Sequence, residues 1–254
     1  MNEYTVLTVE DEVATLVLKR PPAHLLNIAM MEEVNAQLFS LRGVTGLKVL
    51  VVRGTEGVFS DGLDLEEHTR ERVQRLLQVY MRILETLRMM PVVTVAAVEG
   101  RARGAGFELA LGCNLFVATE TATFALPQTK LGLVPPVAAA VLPRVAPRRR
   151  AMEWILTGNL ISARRLEHDG VINRLFPEDN FDGNLDAFVT ELTSKSGPVL
   201  QLARRAQLES YYNTFPDALT SIQTMYLREL LELEDAQEGP RAAQEGRRPE
   251  WKNR

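Results

Sequence analysis

A carboxylate stands just behind a turn that is nearly bare of side chains. Gly100-Arg101-Ala102-Arg103-Gly104-Ala105-Gly106 runs directly into Phe107-Glu108-Leu109-Ala110-Leu111. Three glycines in seven residues permit positive φ and close backbone approach, and the residues after them favour a helix. A helix starting on such a turn presents N–H groups with no intrahelical acceptor, and its dipole adds partial positive charge there. That end suits an anion, or an oxygen that becomes one during a reaction. Glu108, on the first turn, is either a solvated helix glutamate or a group that moves a proton, and spacing alone leaves this open. A second sparse stretch is Val58-Phe59-Ser60-Asp61-Gly62-Leu63-Asp64-Leu65-Glu66. An N–H beside Gly62 and one from the Gly104 turn could converge on a single oxygen.

These stretches have to be held by the elements around them. Thr5–Val9 and Val13–Leu18 form two strands joined by the acidic turn Glu10-Asp11-Glu12. Met31, Val34, Leu38 and Leu41 recur at helical spacing, which predicts a helix from Met30 to Leu41 ending near Gly43. Val49–Val52 and Val92–Val98 are apolar runs of the kind buried on both faces of a parallel sheet. Between them, residues 54–70 read as a loop and Val73–Met89 as a helix. Leu115–Ala118 and Thr123–Ala125 repeat the strand, helix, strand order, which is α/β crossover logic. After Pro135-Pro136, helices are expected at Ala138–Val145, Pro147–Thr157 and Ala163–His168, with a short strand at Val171–Leu175. From Asp182 onward the pattern is helical, most clearly at Val199–Tyr211 and Ala218–Glu234.

At 254 residues and 46% hydrophobic content the chain can bury a sizeable core. A net charge of −4 argues against nucleic acid as the main partner. Arg148-Arg149-Arg150 and Arg247-Arg248 read first as solvated surface, with a small phosphorylated ligand as the alternative. Cys113 is the only cysteine, so a disulfide framework is excluded, a reducing compartment is the simplest home, and a small core residue is its plainest role. No signal-peptide pattern and no apolar stretch of membrane-spanning length is present, so a cytoplasmic protein without membrane association is expected. Three histidines and one cysteine without metal-ligand spacing predict no metal site.

Over essentially its whole length the chain resembles the crotonase superfamily, which includes the enoyl-CoA hydratases and isomerases. Phe59-Ser60-Asp61-Gly62-Leu63-Asp64-Leu65 is similar to the family's F-S-A-G-x-D-L motif, and Gly100-x-x-x-Gly104-Ala105-Gly106-Phe107-Glu108-Leu109-Ala110-x-x-Cys113-Asn114 to G-x-x-x-G-G-G-x-E-L-A-x-x-C-D. Arg20-Pro21-Pro22-Ala23-His24-Leu25-Leu26-Asn27 resembles the early CoA-contact loop, and Leu156-Thr157-Gly158, Ser162-Ala163 and Gly170-Val171-Ile172 the later signature. The resemblance implies an α/β fold, a spiral of ββα turns over residues 1–190, with a C-terminal helical region, 191–254, that builds homotrimers or homohexamers. A simple packed cap is the other reading of those helices. It implies an acyl-CoA thioester as substrate, with no separate cofactor. The N–H groups of Leu63 and Ala105 would form the oxyanion hole, and His24, Leu25, Leu26, Asp61, Asp64 and Leu65 would contact CoA or substrate.

Two departures shape the expected chemistry. Family hydratases commonly split water between two glutamates; the first aligns with Glu108, but the second position holds Gln128, which cannot take a proton at neutral pH. Glu108 and Gln128 are therefore the catalytic pair expected, with Asp61 and His68 as candidate helpers. Hydration, double-bond isomerisation or another enolate reaction, and acyl-CoA binding without turnover all remain open. The other departure is Leu133-Val134-Pro135-Pro136-Val137-Ala138-Ala139-Ala140, where linear-chain hydratases carry a glycine-rich turn. Proline and alanine there stiffen the acyl pocket, and with Asn27–Met31 this is similar to the branch that hydrates cyclic dienoyl-CoA thioesters.

Overall fold

The N-terminal hairpin pairs β1 (Thr5–Glu10) with β2 (Val13–Leu18), Thr5 opposite Leu18, in a computed structural model that describes residues 3–254. Helix α1 (Ile28–Ser40) begins two residues before the expected Met30, because the Asn27 side chain caps it by accepting the Met30 N–H at 2.9 Å. Its Met30, Met31, Val34 and Leu38 are buried. Strand β3 (Val49–Arg53) then lies parallel to β2.

The expected 54–70 loop contains a strand, β4 (Val58–Ser60), and a single 3-10 turn capped by Asp64. Three residues are too few to show alternation in sequence. The long amphipathic helix α2 (Val73–Met89) buries Leu76, Tyr80, Ile83 and Leu87. Next come β5 (Val93–Val98), buried throughout, and β6 (Arg101–Arg103), a short strand inside the glycine-rich turn. Helix α3 (Ala105–Leu111) follows, then β7 (Leu115–Thr119) and β8 (Thr123–Ala125).

The remaining elements are α4 (Pro136–Val145), α5 (Arg148–Thr157), β9 (Ile161–Ser162), α6 (Ala163–His168), β10 (Arg174–Phe176), α7 (Phe181–Thr193), α8 (Gly197–Tyr212), α9 (Phe215–Arg228) and α10 (Glu234–Glu245). Two sequence expectations are corrected. Val171 and Ile172 pack into the core as loop, and the strand they were expected to open runs instead from Arg174 to Phe176 against Val117–Thr119 of β7. The single helix expected over Ala218–Glu234 breaks after Arg228 into a 3-10 turn and an extended Leu233 before α10. Leu227, Leu230, Leu231 and Leu233 keep an apolar pattern running across that break.

One sheet has the order β1-β2-β3-β5-β7-β10 and the other β4-β6-β8-β9. Successive turns of chain, β3-β4-α2, β5-β6-α3 and β7-β8-α4, each lay one strand in each sheet and then a helix. This is the spiral of ββα turns expected. It stacks β4 and β6 side by side, so the sparse Gly62 and Gly104 segments emerge next to each other at the ends of those two strands.

Gly106 fixes how closely α3 approaches β4. A Cβ on Gly106 would lie 2.2 Å from the Ser60 carbonyl oxygen and 2.7 Å from Ser60 Cβ, which forces a shift of the fold itself. Gly106→Ala is expected to destabilise the protein by about 1–3 kcal/mol, read as a lower midpoint in urea unfolding. An unchanged midpoint would contradict this packing.

Candidate active site

The Gly62 loop is tied down from below. The Ser60 hydroxyl donates to the His24 carbonyl at 2.8 Å and accepts the Gly62 N–H at 3.1 Å. Leu26 N–H donates to the Gly62 carbonyl at 2.8 Å, and Asp64 N–H to the Leu26 carbonyl at 3.1 Å. These bonds bracket Leu63, whose own N–H enters no hydrogen bond among the described residues. Gly62 has φ +108°, a value that L side chains rarely adopt.

Across from it, Gly104 (φ +49°, ψ −127°) turns the chain out of β6 and into α3. Ala105 is the first helical residue, so its N–H has no acceptor within the helix. The Tyr80 hydroxyl donates to the Ala105 carbonyl at 2.8 Å, pinning this peptide from the α2 side. The two loops are close: a Cβ on Gly62 would sit 3.3 Å from the Ala105 nitrogen. Leu63 and Ala105 line one cavity of about 550 Å³, together with Glu108, Gln128 and Tyr80.

Glu108 is buried, 1% exposed, and both its carboxylate oxygens are hydrogen-bonded, with acceptor capacity left on Oε2. Oε1 accepts the N–H groups of Val137 (2.7 Å) and Ala138 (2.8 Å), the open N-terminus of α4, and Oε2 accepts from Gln128 Nε2 at 2.9 Å. Burial raises its pKa to about 7, although these three donors pull the other way. Gln128 comes from the 3-10 turn Pro127–Leu131, and its Oε1 is buried without a partner. That oxygen is the acceptor left over in the pair, beside a carboxyl group whose pKa lies at about 7.

The structure brings Leu25, Asp61, Leu63, Asp64, Leu65, His68, Ala105, Glu108 and Gln128 to this one cavity. His24 and Leu26, expected among the binding residues, do not line it. Both are buried beneath the loop. His24 Nδ1 accepts the Arg20 N–H at 2.8 Å, so Nε2 carries the proton toward the Thr55 carbonyl 3.2 Å away. Asp61 is occupied: Arg101 Nε lies 3.0 and 3.1 Å from its two oxygens. It is thus a clamped anion on the wall, which disfavours a helper role in proton transfer. Asp64 pairs with Arg20 at 2.8 Å and caps the following 3-10 turn. No group of three or more metal-ligating side chains occurs among the described residues.

Three contributors were not picked out in sequence as site residues. Tyr80 reads as one more apolar position on α2. The Val137 and Ala138 donors are backbone, so no side chain announces them. The available signal was Pro136, a first-turn proline that marks a helix start and hence free N–H groups behind it.

The sequence model of the family described as enoyl-CoA hydratase/isomerase matches residues 8–254. The chain is 30% identical over 256 residues to a protein of Rhizobium meliloti (strain 1021) named "Probable enoyl-CoA hydratase", covering 99% of both. It is 29% identical to the rat mitochondrial enoyl-CoA hydratase domain-containing protein 3, covering 95% of this chain and 82% of that one. Among solved structures it is similar to the human enoyl-CoA hydratase domain-containing protein 3, with TM-score 0.92, 27% identity and coverage of 98% and 100%. A Bacillus anthracis enoyl-CoA hydratase matches with TM-score 0.93, 25% identity and coverage of 99% and 100%.

Proposed function

The chain belongs to the enoyl-CoA hydratase/isomerase family, whose chemistry is carried out on CoA thioesters, and from that premise we propose that it adds water to an unsaturated acyl-CoA. The observation that carries this is the Glu108–Gln128 pair: a buried carboxyl group with pKa about 7 beside an acceptor oxygen that has no partner. In the proposed step, the thioester carbonyl lies between the N–H groups of Leu63 and Ala105. Water sits between Glu108 and Gln128 Oε1. Glu108 takes a proton from the water as its oxygen bonds to the β-carbon, and the electron pair of the double bond moves onto the thioester oxygen. The two N–H groups hold that charge, in a site walled by Leu25, Leu131, Leu133 and Pro136 where such bonds are strong. Glu108 then returns the proton to the α-carbon, so one carboxyl group both takes and gives it. Gln128 orients the water and has no proton to move.

For the acyl group, a cyclic dienoyl thioester is the first candidate. The wall facing Glu108 is the proline-started end of α4, with Leu133 and Val134 leading into it, and it is stiffer than a glycine-rich turn. Incubation with a linear 2-enoyl-CoA and with cyclohexa-1,5-diene-1-carbonyl-CoA, followed by mass spectrometry, tests both levels. A gain of one water on either supports hydration, and a larger rate on the ring supports the cyclic assignment. An unchanged mass with a moved double bond would replace hydration by isomerisation, and no reaction on a broad panel would contradict an enzyme.

The acid–base assignment also sets the pH profile. As the base, Glu108 must be ionised, so kcat/KM is expected to rise about tenfold per pH unit below pH 7 and to level off above it. A profile flat from pH 5 to 8 would contradict the assignment.

A further inference from the structure

A second cavity, of about 750 Å³, lies where the C-terminal ends of α2 and α3 meet α4 and α8. Leu84, Leu111, Val141 and Leu200 are among its apolar walls. It shares no lining residue with the Glu108 cavity, although Tyr80 lines one and Met81 the other, and Pro136 and Val137 divide in the same way.

One end of this cavity is cationic. Arg204 is half-buried there, and its Nε donates to Asn114 Oδ1 at 2.8 Å while Nη2 donates to the carbonyls of Leu87 and Arg88. Every one of those acceptors is neutral. Asn114 Oδ1 also takes the Thr94 N–H at 3.0 Å and the Thr94 hydroxyl at 3.1 Å, so this position receives donors only. The motif quoted above has Asp at this position, and Asn removes the charge that would answer Arg204. Arg88, stacked 5.5 Å over the Tyr212 ring, lines the same end and presses with burial against the Arg204 charge. Glu85 is the one acid on the lining; it is exposed, and among the described residues none of Glu85, Arg88 and Arg204 is in an ion pair. A half-buried guanidinium answered only by neutral acceptors is poised for an external anion.

We propose that this cavity binds an aliphatic chain ending in a carboxylate, with the chain against Leu84, Leu111 and Val141 and the head on Arg204 and Arg88. Two sources share that chemistry: a free fatty acid, and the distal carboxylate of the thioester's own acyl group. Decanoate affinity is read without turnover and is independent of the hydration chemistry, whereas the thioester source rests on acyl-CoA binding in the Glu108 cavity.

Titration calorimetry on the full chain with decanoate, and with decan-1-ol as the uncharged comparator, tests it. Decanoate should bind saturably and at least about tenfold more tightly than the alcohol, the worth of one charge-assisted hydrogen bond. Asn114→Asp supplies Arg204 with an internal carboxylate that all three present donors can satisfy, so it should weaken decanoate about tenfold and leave the alcohol unchanged. Arg204→Met is the second variant and should also erase the preference for the charged ligand. Presaturation with butanoyl-CoA or with the CoA monothioester of decanedioic acid separates the sources. Blocking by the second thioester alone assigns the cavity to the substrate's own tail, and blocking by neither assigns it to a free acid. Absence of saturable decanoate binding, the outcome also expected if a second copy of the chain covers the groove, overturns the proposal. Equal binding to the Asn114→Asp variant does so too.

Discussion

Glu108→Gln is expected to lower kcat by about 10²–10⁴-fold, the usual worth of a positioned acid–base group, while leaving the affinity for CoA thioesters nearly unchanged. The change is close in shape. The new amide oxygen can still accept from Val137 and Ala138, and its NH2 then faces Gln128, whose amide turns over to offer the oxygen that lacks a partner in the native protein. The same variant should be more stable above neutrality. Burial holds the folded-state pKa of Glu108 near 7, above the ordinary 4.5, so the fold favours the neutral acid. Stability from this group is complete below pH 4.5 and lost as pH rises through 7. Glutamine carries no such penalty, and at pH 8 the variant should gain up to about 3 kcal/mol in denaturant unfolding. A variant that is inactive and less stable at pH 8 would mean that Glu108 serves chiefly to cap α4. One that keeps its turnover would remove it from the chemistry.

Ala105→Pro should cost nearly as much by a different route. The substitution deletes one N–H at the first position of a helix, where proline is well tolerated, and the preceding Gly104 imposes no Cβ of its own. If the Ala105 N–H stabilises charge on the thioester oxygen, kcat should fall about 10²–10³-fold, or about 2.7–4 kcal/mol of transition-state stabilisation. Ala105→Ser keeps the N–H and should remain within about threefold of the native rate, well inside the effect of a lost donor. Unfolding midpoints for both variants separate loss of a donor from loss of structure. Equal activity in the proline variant would place the oxyanion elsewhere.

How far the site could be read in sequence follows from what each residue contributes. Gly62 and Gly104 are legible because their backbone angles are rarely adopted by any other residue, and a glycine at a strand-to-helix turn states that requirement openly. Strands β3, β5 and β7 are legible as apolar runs. The intervening β4 and β6 are not, because three residues carry no period, and yet they set the two loops side by side. Glu108 and Gln128 could be named as a pair from motif positions, but not that the amide donates to the carboxylate and leaves its own oxygen free. The Val137 and Ala138 donors are hidden because any residue supplies an N–H. Asp61 looked like a spare carboxylate until the fold placed Arg101, forty residues further on, against both its oxygens. His24 and Leu26 lie in the right loop but on its inner side, a distinction that one residue of register decides.

In the proposed mechanism, hydration and double-bond isomerisation alike pass through an enolate, held by the Leu63 and Ala105 N–H groups and protonated by Glu108. The most direct measurement of that shared step is hydrogen exchange at the α-carbon of but-3-enoyl-CoA in D2O, followed by NMR with catalytic amounts of protein. The expected result is deuterium incorporation at the α-carbon well above the rate without protein, abolished in Glu108→Gln and strongly reduced in Ala105→Pro. Exchange no faster than the protein-free control, or exchange undiminished in Glu108→Gln, would contradict the account.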